Sequence, residues 1–225
     1  MKKNSLVLTV LFVGLVAISL PASAQRGRGS RGGRGRGLQQ RRANLVTVDL
    51  TVEIRESLLH MREEEKLARD VYLTLSKKHN SAVFSQIASA ESRHMAALER
   101  LLDRYGLPDP VVDDAIGKFT KPEFTQLYNK LISQGGKSLV DAYEVGALIE
   151  ELDIADLISG VKMLEANTDI ERIYQNLMRA SRNHLRAFAS RLGEQGKAYT
   201  AQHLNQKDFD KIAASPWERG HGRSR

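Results

Sequence analysis

Between Asn44 and Leu192 apolar side chains return every three or four positions, the repeat expected of helices with one buried face. Leu58, Met61, Ala68, Val71, Tyr72 and Leu75 trace a first stripe and predict a helix over about Asp49 to Lys78. Asn80-Ser81 then supplies a break and a cap. A second stripe follows through Phe84, Ile87, Ala88, Met95, Leu98, Leu101 and Leu102, and Gly106, Pro108 and Pro110 stop it. The connection from about Gly106 to Lys137 is long. It holds one short helix, announced by Thr120-Lys-Pro-Glu123, a capping box with an early proline, and ended by Gly135-Gly136. A third long helix starts at Ser138 and runs through Val145, Ile149, Leu152 and Leu157. Thr168-Asp-Ile-Glu171, another capping box, opens a fourth with Ile173, Tyr174, Leu177, Phe188 and Leu192. From Gly193 the chain turns polar, with one more short helix near Asp208 to Ala213. No segment reads as a strand. The expectation is an all-α protein whose residues 44–195 form a four-helix bundle, two hairpins joined by a long crossover between the second and third helices. Residues 196–225 are a C-terminal extension ending in a basic tail.

The stripes are broken at one place in each long helix. On the second, Phe84-Ile87-Ala88 continues into Glu91 and His94 before returning to Met95 and Leu98. Glu91-Ser-Arg-His94 puts a carboxylate and an imidazole on one face, about a turn apart. On the fourth, the seam from Ile173 and Leu177 passes through Ser181 and His184 to Phe188. The third carries Glu150 and Asp153, again three apart and again inward. The first brings Glu64 and Glu65 beside the line through Met61, Ala68 and Tyr72. A lone buried carboxylate would be costly, whereas several meeting at one level are tolerable if they share cations. A dinuclear carboxylate site needs four carboxylates and two imidazoles from four helices, and the chain supplies that inventory. Oxygen and imidazole donors in this mix suit iron, manganese or zinc.

Each interruption has a plainer explanation when taken alone. A histidine on an apolar stripe is commonly a hydrogen-bonded core residue, and Glu63 to Glu65 or Glu150-Glu151 could be a solvated face. The metal reading gains because all four interruptions fall in separate long helices. His60, His79, His203 and His221 lie at edges, ends or tails and receive no role.

Composition changes the picture at the two ends. Hydrophobic residues at 41% support a real core, while aromatics at 6% and five prolines suit a helical protein. There is no cysteine, which excludes disulfides and thiolate metal sites. Lys2 and Lys3, the apolar run Ser5 to Leu20 and the small residues Ala22-Ser-Ala24 read as a secretory signal over 1–24. Residues 25–43 are Gly/Arg low complexity with seven arginines and no acid, a composition that cannot bury apolar surface. The formal net charge of +7 therefore sits in the tails, and Asn44 to Ser215 is acidic at −4. An arginine-rich arm suits an anionic surface or a solvated spacer. Export argues against nucleic acid as its partner.

With these residues in view, the chain resembles the ferritin-like superfamily of rubrerythrin and bacterioferritin type, and most closely an uncharacterised prokaryotic branch of it. The resemblance rests on Glu63-Glu64-Glu65-Lys-Leu-Ala-Arg-Asp-Val-Tyr72, Ile87-Ala-Ser-Ala-Glu-Ser-Arg-His-Met95, Gly146-Ala-Leu-Ile-Glu-Glu-Leu-Asp-Ile154 and Ser181-Arg-Asn-His-Leu-Arg-Ala-Phe188. It implies a ferritin-like four-helix bundle binding two metal ions, iron first, with manganese or zinc as alternatives. The superfamily's first-helix step of Glu, six residues, Tyr fits Glu65 and Tyr72. By that resemblance Glu65 rather than Glu64 joins Glu91, His94, Glu150, Asp153 and His184 as a ligand, and Tyr72 orients one of them. One departure stands out. Where the resembled fourth helix has Glu-x-x-His, this chain has Ser181-Arg-Asn-His184, and a carboxylate is found instead at Asp153 on the third helix. The implied activity is oxidation of iron(II) or reduction of peroxide, with dioxygen or peroxide as the reacting partner. The other reading is a non-catalytic module attached to anionic surfaces through its basic arm. A homodimer is compatible with the sequence, and nothing in it argues for a storage cage.

Overall fold

Helix starts in this chain are written in short side chains, and most of them cap as written. In a computed structural model, which describes residues 50–165 and 168–220, Thr51 Oγ1 accepts from the Ile54 N–H at 3.3 Å and opens α1 (Val52–His79). Ser138 accepts from Asp141 N–H at 3.0 Å and opens α4 (Leu139–Lys162), and Thr168 does the same for Glu171 N–H at 3.0 Å ahead of α5 (Asp169–Glu194). Each satisfies an amide that the first turn leaves without an intrahelical partner. Asn80, at φ 50°, takes the left-handed conformation that ends α1, and α2 (Ala82–Arg104) returns alongside. Here the expected cap does not form: Ser81 makes no side-chain capping bond.

The crossover corrects a second expectation. Its helix, α3 (Pro122–Gly135), has Pro122 in the first turn, but Thr120 does not cap it. The Thr120 hydroxyl bonds the Pro110 carbonyl, and the amides of Thr120 and Lys121 donate to Glu63 Oε1 at 3.0 and 3.1 Å. A buried carboxylate from α1 has taken over the job of the box. A final helix, α6 (Gln206–Ala214), is capped by Asn205, which accepts from Asp208 N–H at 2.9 Å.

The described residues are thus all-helical, with six helices and no strand. None of these helices is long and apolar enough to cross a membrane. The signal and the basic arm expected over 1–43 lie outside the described residues, and all six helices belong to the unit Leu45–Arg225. α1 packs along α2 and α4 along α5, while α1 also touches α4 and α2 touches α5. α3 leans on α1 and α4, and α6 on α5. Apolar stripes from the four long helices meet in one core, where Leu58, Val71, Phe84, Leu98, Val145, Leu157, Leu185 and Phe188 are fully buried. Each such side chain contributes about 1.5–3 kcal/mol by leaving water.

The Glu63-to-Glu65 run and the Glu150-Glu151 pair are not a solvated face. All five are buried, as is every residue of α1 from Met61 to Tyr72. The crossover covers the face of α1 that its own sequence marks as polar. Arg62 pairs with Asp109 at 2.8 Å, and Lys66 pairs with Asp70 at 2.6 Å and donates to the Ala115 carbonyl at 2.9 Å. Asp70 in turn accepts from Gly117 N–H at 3.0 Å. On α4, Glu151 accepts from the Tyr199 hydroxyl at 2.7 Å and from the amides of Gln202 and Leu204 at 3.1 Å, which fastens the extension beyond α5. Pairing and hydrogen bonding of this kind offset the cost of burying these charges, although Arg62 Nη1 and Glu63 Oε2 keep no hydrogen-bonding partner within the protein.

Candidate metal centre

Glu65 on α1, Glu91 and His94 on α2, Glu150 on α4 and His184 on α5 come together inside the packed helices. Glu91 is at the middle. One of its oxygens, Oε2, lies 2.6 Å from His94 Nδ1, and the other, Oε1, lies 3.0 Å from His184 Nδ1. Glu65 Oε2 stands 3.2 Å from His94 Nδ1, and Glu150 Oε2 stands 3.4 Å from His184 Nδ1. Two triads result, Glu65–Glu91–His94 and Glu91–Glu150–His184, each with one donor atom per residue within 4.8 Å of the others. They share Glu91, and the two imidazole centroids are 5.9 Å apart. The periodicity explains the convergence: Glu91 and His94 share a face by their three-residue step, and each of the other helices aims one interruption at the same level.

Asp153 belongs to neither triad but faces the same space. Its Oδ2 accepts from the Ser181 hydroxyl, which also donates to the Leu177 carbonyl, and its Oδ1 has no partner within the protein. A cavity of about 10 Å³ is lined by Glu64, Glu65, Ala68, Glu91, Ile149, Glu150 and Asp153. That is room for one particle of roughly water size. Tyr72 donates to Glu150 Oε1 at 2.5 Å and packs on Phe188, with ring centroids 5.5 Å apart, so Glu150 is fixed from the dry side.

Several donors here are left wanting. Glu65 Oε1, Glu91 Oε1, Asp153 Oδ1 and His184 Nδ1 are buried without a hydrogen-bonding partner in the protein. The 3.0 Å approach of His184 to Glu91 is short yet misaligned for a hydrogen bond, so both atoms stay unsatisfied. Buried polar atoms without partners are rare because each costs about 1–3 kcal/mol. Three of these residues, Glu65, Glu91 and Asp153, line the small cavity, and with His184 beside Glu91 they form a donor set of oxygens and an imidazole nitrogen suited to a first-row divalent metal.

The model of an uncharacterised protein domain, DUF2202, matches residues 54–216, from the first turn of α1 past the end of α6. The chain belongs to that family. It is 49% identical over 181 residues to the uncharacterised protein MJ0754 of Methanocaldococcus jannaschii, a match covering 80% of this chain and 97% of that protein. It is also similar to the crystal structure of the hypothetical protein MJ0754 from Methanococcus jannaschii. There the identity is 47% and the TM-score 0.75, over 78% of this chain and 100% of that one.

In this DUF2202 chain the proton inventory of the metal-free centre follows from burial and charge. Burial lifts Glu65 well above the ordinary carboxylate range despite His94 beside it, and burial with Glu150 next to it lifts Asp153 to about 7. Glu91 goes the other way: burial raises it, but His184 and His94 together outweigh that and hold it low. Burial would drive the imidazoles neutral, yet Glu91 and Glu150 raise His184 to about 10, and Glu65 and Glu91 raise His94 well above its usual value. The ionised Glu91 carboxylate thus sits between two imidazoles held above their usual range, with acids around them that burial lifts above theirs. The protons stand where divalent cations would neutralise the same groups.

Reasoning from periodicity missed two kinds of residue. His60 was given no role, yet it lies 3.2 Å from Asp156 Oδ2 and 3.7 Å from Glu64 Oε2. The four-residue step from His60 to Glu64 was the available signal. Glu63 and Glu151, one or two positions from a centre residue, hold loop amides, and nothing local distinguishes them from their neighbours.

Proposed function

We propose that this chain is a ferritin-like four-helix bundle that holds two divalent metal ions, iron first, and uses them to oxidise iron(II) or reduce peroxide. The sharing of Glu91 between two Glu/His triads carries this reading. Glu91, with one oxygen towards each triad, would be held in common by two cations, Glu65 and His94 serving one and Glu150 and His184 the other. Asp153, with a free oxygen on the shared cavity, supplies the fourth carboxylate. Four carboxylates balance two doubly charged cations, so the filled centre would be neutral inside a dry core. Manganese or zinc would satisfy the same donors.

Bound iron would supply reversible one-electron chemistry at the buried site. The protein's own part is to orient and to insulate. Tyr72 keeps Glu150 turned towards the centre, and Ser181 turns Asp153 inward where a fourth-helix carboxylate is absent. The layer formed by Tyr72, Phe84 and Phe188 excludes water from one side, with centroids 5.4–6.0 Å apart. The Lys2-Lys3 start, the apolar run and Ala22-Ser-Ala24 support export of the protein.

Protein loaded with iron(II) without air should retain at least two ions per chain. Admitting air should produce a near-ultraviolet iron(III) absorbance that the Glu91→Ala/His94→Ala variant does not develop. Identical spectra from both proteins would overturn the reading. Purified protein with metal content near zero, and no uptake on loading, would instead favour the non-catalytic binding module.

A further inference from the structure

The pair Glu64 and Glu65 faces two ways. Glu65 joins the buried centre, while Glu64 turns its Oε2 towards His60, one helical turn nearer the start of α1. Asp156 meets them from α4, one turn beyond Asp153. His60 Nε2 is 3.2 Å from Asp156 Oδ2 and 3.7 Å from Glu64 Oε2, and one donor atom from each lies within 4.8 Å of the other two. The His60 ring is steadied by Phe124 of α3, centroid to centroid 5.2 Å.

A hydrogen bond between His60 and Asp156 accounts for those two residues but not for Glu64. Its residue exposure is 6%, and Oε2 has no hydrogen-bonding partner within the protein. The carboxylate is crowded by Asp153, Asp156, Glu65 and Glu150, and the basic neighbours Arg62 and Lys66 are committed to Asp109 and Asp70. A cation would satisfy an unpartnered oxygen, an imidazole and a second carboxylate around one point together. Side-chain exposure falls along the series, 41% at Asp156, 32% at His60 and 8% at Glu64. Glu64 also lines the cavity that holds Glu65, Glu91, Glu150 and Asp153. The three residues therefore form a stair from solvent to the interior.

We propose that His60, Glu64 and Asp156 form a third divalent-cation site, one helical turn outside the paired centre, from which cations pass inward along Glu64. The site itself stands on its own geometry. Only the inward passage rests on the reading of the paired centre given above.

Cobalt(II) is a suitable probe, because both its content and its visible absorption can be followed. Equilibrium dialysis of the full chain should give about three ions per chain. His60→Ala/Asp156→Asn should give about two, and Glu91→Ala/His184→Ala about one. Unchanged far-ultraviolet circular dichroism controls for folding. Zinc soaked into wild-type crystals, with anomalous difference density sought between His60, Glu64 and Asp156, covers a variant that fails to fold. Stopped-flow mixing should show the outer variant filling its remaining sites at least about tenfold more slowly, as expected when an acidic entry is removed. Cobalt content equal to wild type in the outer variant, or no zinc density at the triad, would overturn the third site. Equal filling rates would overturn the passage. A wild type that binds one ion, lost only in the outer variant, would keep this site and remove the paired centre.

Discussion

At Glu91 the charge of one residue is set by two histidines, and binding of the proposed metals would be linked to protons. His184, at about 10, and His94, raised well above its usual value, both carry a proton at neutral pH in the metal-free protein. Glu65 and Glu150 are raised by burial, and Asp153 reaches about 7. A ligand must give up its proton to bind, so cation uptake releases protons and affinity falls as pH falls. Zinc binding at pH 7, measured calorimetrically in two buffers of different ionisation enthalpy, should release at least about two protons per filled centre. Heats that do not depend on the buffer would contradict this arrangement. Single side chains of the centre are already readable in the sequence. The Glu91–His94 step, and His184 on an otherwise apolar seam, are visible because a helix brings every third or fourth residue to one face. Glu64 and Glu65 were harder to separate. Adjacent residues on a helix differ by 100° in direction, and which of the two faces the centre depends on where α2 and α4 lie.

Helix packing tests itself at the glycines. Gly146 lies inside α4, where alanine would ordinarily favour the helix by about 1 kcal/mol. A Cβ there would stand 2.6 Å from the ring of Phe188, which is fully buried and packed on Tyr72 and Phe84. Overpacking a filled core costs about 1–3 kcal/mol, so the clash should win. Gly146→Ala is expected to lower stability by about 1–2 kcal/mol in urea denaturation. Gly193, in the last turn of α5, has no atom within 4 Å of the same added carbon. Gly193→Ala should therefore stabilise, by up to about 1 kcal/mol. Equal effects at the two positions would show that propensity, not the Phe188 contact, governs. Helix existence and order were legible from the stripes and from Thr168, Ser138 and Pro122. The failure of Thr120 as a cap was not, because a capping box competes with any better acceptor, and Glu63 arrives from a helix 57 residues away.

A metal held at the buried centre would make the stability of the fold depend on pH and on metal together. For Asp153 the folded pKa of about 7 exceeds its ordinary 3.8, so the metal-free fold is favoured below about pH 4 and loses that advantage as pH rises to 7. For His184, raised from 6.5 to about 10, the contribution is complete below 6.5 and is lost as pH rises through 10. Both slopes point the same way between pH 6 and 8. Glu218, held at about 2 by Arg182 and Arg186, is ionised throughout and adds no slope there. Chelated protein should thus melt at a lower temperature at pH 8 than at pH 6. Excess zinc should raise the melting temperature more at pH 8, because binding to the folded state alone adds about 2.7 kcal/mol at a hundredfold excess over Kd. A chelated protein whose melting point rises over this range would refute the proton inventory.

By itself the amino-acid order determined an all-helical chain with four long helices, a helical crossover and one level of inward acids and imidazoles. Helical periodicity is local, and each of those features needs only residues within a turn or two of one another. The tertiary structure decided which members of each acidic run serve which purpose. Glu63 and Glu151 hold loops, Glu65 and Glu150 face the centre, and Glu64 turns outward to His60 and Asp156. Those assignments turn on partners 29 to 96 residues away in sequence, brought near only when the helices pack.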